Sequence, residues 1–236
     1  MRITSKSDKS FRMALTALFA LVVAAMSPLA VRAQFLHPKV TSKQVTIRNI
    51  VILPAKVQVV RDSMKGPEGM AAESEELSSR VEKILAEVLA SQKHVATVSG
   101  SVAPSSDGAT DQKYSVADFQ SKFDLLLPKI MKKRGDVKQG RFSMGDEVLN
   151  LNLDKTADAI VFIRGQGQAL TSGKKAFTLL VGGKWAYLKL QIGIVDAHSG
   201  EVLLYTDPAL DGDPTTAVDR LRSALEKSFK KLPAAG

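Results

Sequence analysis

The feature that most constrains this chain lies at its start. Lys6, Lys9 and Arg12 precede an apolar run over residues 13–26 (MALTALFALVVAAM), and Ser27 and Pro28 close it. Val31-Arg32-Ala33 then offers small residues at the two positions that signal peptidase reads. This is the layout of a cleavable secretory signal. The run falls short of the roughly 20 apolar residues that a bilayer-spanning helix needs. Residues 1–33 are therefore read as a signal peptide cleaved after Ala33. The mature chain is expected to carry no integral membrane span and to be exported, either periplasmic or secreted.

Removing that segment leaves 203 of the 236 residues. Such a length suits one domain with a sizeable core. There is no cysteine, so the core must hold without disulfides, and the acyl chain of a bacterial lipoprotein has no attachment point. Of the formal charge of +9, the first 33 residues account for +4, through five cations against Asp8, which leaves +5. That balance is only mildly basic. The cations are not interleaved with aromatic residues, so no nucleic-acid partner is expected.

Residues 34–44 read as a flexible leader and residues 45–236 as a single domain. Residues 45–53 (VTIRNIVIL) alternate and then turn wholly apolar, as a strand entering a buried position does. Pro54 ends it, residues 56–60 continue it past a bulge, and residues 65–72 form a Gly/Pro loop. Residues 74–91 carry Leu77, Val81, Ile84, Leu85, Val88 and Leu89 on one helical face, with Ser74 as the cap. A short strand follows at 95–98, then a Ser/Gly/Asp/Pro surface loop over 99–113.

Ser115-x-x-Asp118 is a capping box for a second helix. Pro128 is expected to kink or restart that helix. Ser143-x-x-Asp146 is a further capping box. Beyond it, residues 157–163 (ADAIVFI) and 176–181 (AFTLLV) read as buried strands. Residues 185–195 alternate, with Lys189 and Gln191 on a face that is partly wet. Residues 202–205 return as a hairpin partner, and Asp213-Pro214 starts a last helix. The expected fold is α+β: a mostly antiparallel sheet packed against about three helices, behind a signal peptide.

Asp196, His198 and Ser199 are the residue types of a hydrolytic triad, but they sit within four positions of one turn. Triads assemble from distant segments with each side chain aimed at the next, so a turn is the better reading. Gly165-Gln-Gly167 follows a strand but lacks the third glycine of a dinucleotide fingerprint, since Leu170 stands there. Glycines of a bent or bulged strand are the better reading. Asp207, Asp211 and Asp213 lack the spacing and closing glutamate of a calcium loop. His37 and His94 are isolated, without a second ligand at zinc spacing. No catalytic residue, metal ligand or cofactor is assigned. The densest basic run, Lys129, Lys132, Lys133, Arg134, Lys138 and Arg141, is either a solvated helix terminus or a contact surface for an acidic envelope component.

One longer pattern is more telling than any motif. A strand ends in Ile52-Leu53-Pro54 and a helix follows. Ala157-Asp158-Ala159-Ile160-Val161 then leads through a long hairpin to Val195-Asp196 and Gly200-Glu201-Val202-Leu203. This resembles the small bacterial envelope domains typified by the curli secretion protein CsgG, the penicillin-binding-protein activator LpoB and the N-terminal domain of TolB. The resemblance implies an α+β domain that docks to partners or oligomerises, with no catalytic residues to carry over. The resulting expectation is a non-enzymatic exported accessory or assembly protein of the cell envelope. It would bind an envelope protein, or itself, through its sheet edge and hairpin loops. A secreted hydrolase and a self-assembling secretion-channel subunit are the alternatives.

Overall fold

The computed structural model describes residues 34–98, 116–145, 148, 156–183 and 185–235. The segments read as a signal peptide and as a surface loop over 99–113, and the expected capping residues Ser115 and Asp146, lie outside the described residues. In chain order the elements are β1 (Gln34–Leu36), α1 (Pro38–Thr41), β2 (Asn49–Ile52), β3 (Lys56–Ser63), β4 (Gly66–Gly69), α2 (Ala71–Ser91) and β5 (Val95–Val98). Next come α3 (Val116–Lys132), a 3-10 helix (Arg134–Gln139), β6 (Ala159–Leu170) and α4 (Ser172–Val181). The last elements are β7 (Tyr187–Asp196), β8 (Val202–Thr206), β9 (Ala209–Asp211) and α5 (Val218–Phe229).

The fold is α+β. One sheet runs in the order β1-β8-β7-β6-β2-β5. Its β1, β8, β7 and β6 are antiparallel neighbours, and β9 adds antiparallel to β7. The β2–β5, β2–β6 and β3–β6 pairs are parallel. The long β6 serves as the spine. Its first residues pair with β2 and its later residues with β3, so β2 and β3 run as one strand interrupted at Pro54. The interruption expected there is present.

One sheet face carries Ile52, Val57, Val59, Val161, Ile163, Leu190 and Ile192, packed under α2 and α5. The six-residue stripe expected on α2 is buried as read. The other face carries Leu53, Ile160, Phe162, Val195, Val202 and Tyr205, covered by Phe119, Phe123, Leu127 and Ile130 of α3. Phe123 stacks on Phe162 with ring centroids 4.7 Å apart.

Several local expectations are corrected. The segment read as a loose leader enters the sheet, because β1 pairs with β8 and Lys39 of α1 reaches Glu201 at 2.5 Å. The Gly/Pro loop contains β4, which closes a hairpin with β3. Residues 176–181 are not a strand but the body of helix α4. The Thr171 hydroxyl caps it by accepting from the Lys174 N–H at 3.3 Å, and Gly182 ends it at φ 79°. Ser74 is not a cap: α2 begins earlier, and the Ser74 hydroxyl accepts from the Val59 N–H at 2.9 Å. Asp213 caps only a turn, accepting from the N–H and hydroxyl of Thr215, while α5 begins at Val218. Helix α3 continues through Pro128 to Lys132.

Candidate functional site

The polar residues singled out in the sequence are mostly engaged inside the fold. Asp196 Oδ1 accepts from the N–H groups of His198 (2.9 Å) and Ser199 (2.8 Å), which closes the β7–β8 turn. His198 is exposed, so these three residues form no triad. Asp207 pairs with Arg134 at 2.9 Å and Asp213 with Thr215, so the three aspartates do not converge. No group of three or more His, Cys, Asp or Glu able to hold a metal occurs among the described residues.

Gly165 and Gly167 lie in an unbroken stretch of β6 rather than at a bulge. A Cβ on Gly165 would meet Leu190 Cδ2 at 2.7 Å and Val57 Cγ1 at 2.9 Å. On Gly167 it would meet Pro214 Cγ at 3.1 Å. Both glycines permit close packing.

His37 and His94 are buried core histidines. His94 Nδ1 lies 2.8 Å from the Ile47 carbonyl, and His37 Nδ1 accepts from the Lys39 N–H at 3.1 Å. Burial lowers both below the ordinary histidine value; for His37 the Glu201 charge opposes the shift.

The basic run divides in two. Lys129, Lys132 and Lys133 are exposed at the end of α3 and just beyond it. The other three make contacts within the domain, Lys138 and Arg141 while still exposed to solvent. Arg134 holds Asp207, Arg141 holds Asp136 at 2.6 Å, and the Lys138 ammonium lies 5.5 Å above the Phe35 ring. Burial and the nearby Asp207 charge push the Tyr205 hydroxyl up to about 12, with Arg134 opposing. Burial likewise raises Asp207, and Arg134 again opposes. These groups are neutralised structure rather than a poised acid or base.

Among the described residues, part of one sheet face stays uncovered. Helix α3 covers only the part of that face built from β2, the start of β6, the end of β7 and β8. Its border is Arg164, only 8% exposed. The guanidinium donates to both Asp124 oxygens, to the Gln120 carbonyl at 3.0 Å and to the Ile163 carbonyl at 2.9 Å. Beyond this border the register sets two rows across the strands. One runs Gln58–Gln166–Lys189–Ala209 and the next Val60–Gln168–Tyr187–Asp211. Gln58, Val60, Gln166 and Lys189 are exposed on it. Among the described residues no helix covers this platform of exposed positions, which carries the side-chain amides of Gln58 and Gln166. The alternation at Lys189 and Gln191 was the sequence signal for it. Its partners on β3 and β6 were hidden because the β3–β6 pairing is parallel and distant in sequence.

No family model matches the chain, and no curated protein sequence does. Among solved structures, it is similar to the PelC dodecamer from Paraburkholderia phytofirmans at 9% identity and a TM-score of 0.39, covering 87% of this chain and 98% of that one. It is similar to lipoprotein GNA1162 from Neisseria meningitidis at 11% identity and a TM-score of 0.33, covering 78% and 96%. The LpoB C-terminal domain from Salmonella enterica follows at 12% identity and a TM-score of 0.25, covering 73% and 93%.

Proposed function

We propose that this chain is a non-enzymatic accessory or assembly protein of the cell envelope, exported to the periplasm or beyond, that acts by binding an envelope protein or a second copy of itself. The observation that carries the reading is the bare sheet platform bearing Gln58, Gln166 and Lys189. An antiparallel sheet commonly leaves one face to water, and a face that is partly capped by a helix and partly bare presents exposed hydrogen-bonding side chains. Such a surface suits a protein partner better than a small molecule, which needs a concave site. Asp196, Asp207 and Asp213 are engaged in turns and an ion pair, so they do not supply the common point that the alternative hydrolase reading asked of them.

The test is site-specific photo-cross-linking in intact cells, with the probe at Gln166 and, as a control, at Lys83 on the helical side. One dominant envelope protein, or a self-adduct, captured from Gln166 and not from Lys83 is the expected result. Equal capture from both positions, or turnover of an envelope substrate by the purified chain, would overturn the reading.

A further inference from the structure

Of the eleven large apolar side chains exposed among the described residues, six lie at the tip of the β6–β7 hairpin or in the turn beside it: Met64, Phe177, Leu179, Leu180, Val181 and Trp185. Helix α4, which bridges β6 and β7, buries one residue only, Thr178. At about 100° per residue, Phe177, Leu179, Leu180 and Val181 point at roughly 0°, 200°, 300° and 40° around the helix axis, and Thr178 at 100°. The apolar side chains therefore surround the axis on every side except the one that meets the domain. Leu179 is 72% exposed and Leu180 86%.

The neighbouring β3–β4 turn belongs to the same tip. The Thr171 N–H donates to the Asp62 carbonyl at 3.2 Å, and Lys174 Nζ lies 3.5 Å from Asp62 Oδ2. Two residues past Asp62 stands Met64, followed by exposed Lys65. Residues 171–186 contain Lys174, Lys175 and Lys184 and no acidic residue.

We infer that this tip is a monotopic membrane anchor that inserts into one leaflet of an anionic bilayer. A rigid protein surface meets a helix along one face and would leave much of this apolar arc wet. A fluid hydrocarbon layer covers it on all sides. Phe177, Leu179, Leu180, Met64 and Trp185 stand exposed next to Lys65, Lys174 and Lys175, the last two also facing Asp62 and Asp213 at 3.5 and 3.9 Å, and these are the residue types that meet acyl chains, the interface and charged headgroups. No described helix is long and apolar enough to cross a membrane, so the contact is with one leaflet. Insertion is separate from partner binding: the platform faces sideways from the strands, and the tip lies at their end.

Trp185 is the single tryptophan of the chain, so its emission reports this site alone. The experiment adds phosphatidylethanolamine–phosphatidylglycerol vesicles to a chain starting at Gln34, which retains every core residue from Val40 to Ala235. A blue shift of Trp185 with co-sedimentation is expected, weaker on phosphatidylcholine vesicles. Leu179→Ser with Leu180→Ser is expected to lower the vesicle partition coefficient by more than about tenfold. Quenching of Trp185 by brominated lipid in the unsubstituted chain gives the same answer independently of any variant. No shift, no quenching, or binding that survives both substitutions would overturn the anchor. So would a blue shift that grows with protein concentration in the absence of lipid, because a second copy would then be covering the tip.

Discussion

The carboxylate of Asp158 accepts hydrogen bonds from the backbone N–H of Asn49 and from that of Arg48, both at 2.8 Å. Asn49 answers by accepting the Asp158 N–H at its carbonyl, 2.9 Å away, and by donating its side-chain amide to the Thr156 carbonyl at 2.9 Å. The Ala197 N–H reaches the Asp158 carbonyl at 2.9 Å. One aspartate thus ties the start of β2 to the start of β6 and both to the β7–β8 turn. Parallel pairing gives no short turn to set register, so a fixed acceptor at the strand entry is what aligns β2 on β6.

Asp158→Ala removes two charge-assisted bonds and leaves two strand-entry N–H groups without their acceptor. A loss of about 2–3 kcal/mol is expected. Urea unfolding monitored by circular dichroism measures it, with a lowered midpoint at an unchanged slope. A midpoint equal to that of the unsubstituted chain would remove the register role.

Gly193 of β7 lies under the Phe123 ring, and a Cβ there would meet Phe123 Cε2 and Cζ at 2.7 Å. The ring is also stacked on Phe162, so it cannot move aside freely. Gly193→Ala is expected to cost about 1–3 kcal/mol by overpacking. Adding Phe123→Leu should recover part of that loss, since the smaller side chain vacates the contact. A double-mutant cycle in urea measures the coupling; strictly additive losses would mean that the clash is relieved elsewhere.

How much of this was legible depended on period and sequence distance. The α2 stripe and the alternation of β7 were readable because one face is buried throughout. Helix α4 was misread because AFTLLV is a short, aperiodic apolar run containing β-branched Thr178 and Val181, and such runs do not distinguish strand from helix. The deciding signals were at its borders, in Thr171 as a cap and Gly182 as a stop. The basic run was readable as charge, but not its division, because Asp207, just past β8, and Phe35 of β1 are far from α3 in sequence. The Asp196-Gly200 element was read correctly as a turn. What no pattern conveyed was that Asp158 and Glu201, two other acidic residues of the envelope-domain resemblance, are structural ties.

That division of the basic run makes a stability prediction. Arg134 is the counter-ion of Asp207, a partly buried carboxylate whose burial already disfavours its charge. Arg134→Gln is expected to cost about 1–2 kcal/mol, discounted because the pair is partly exposed. Replacing Lys129, Lys132 and Lys133 together with Gln should change stability by less than about 0.5 kcal/mol. Thermal unfolding of the two variants side by side tests this. Equal losses would mean that the exposed lysines are structural as well.

The two buried histidines set an acid limit. In the unfolded chain each titrates near its ordinary value of 6.5; in the fold, burial holds both lower. Below pH 6.5 the unfolded chain therefore binds more protons than the native one, and stability falls as pH falls. Above that value the contribution is complete and the profile is flat for these groups. His37→Asn keeps a side-chain acceptor for the Lys39 N–H, and His94→Gln keeps a donor for the Ile47 carbonyl. With both substitutions, urea midpoints measured between about pH 5 and 7 should vary less than those of the unsubstituted chain. If the original chain already shows a level profile across that window, neither ring resists protonation, and the burial of His37 and His94 carries no pH dependence.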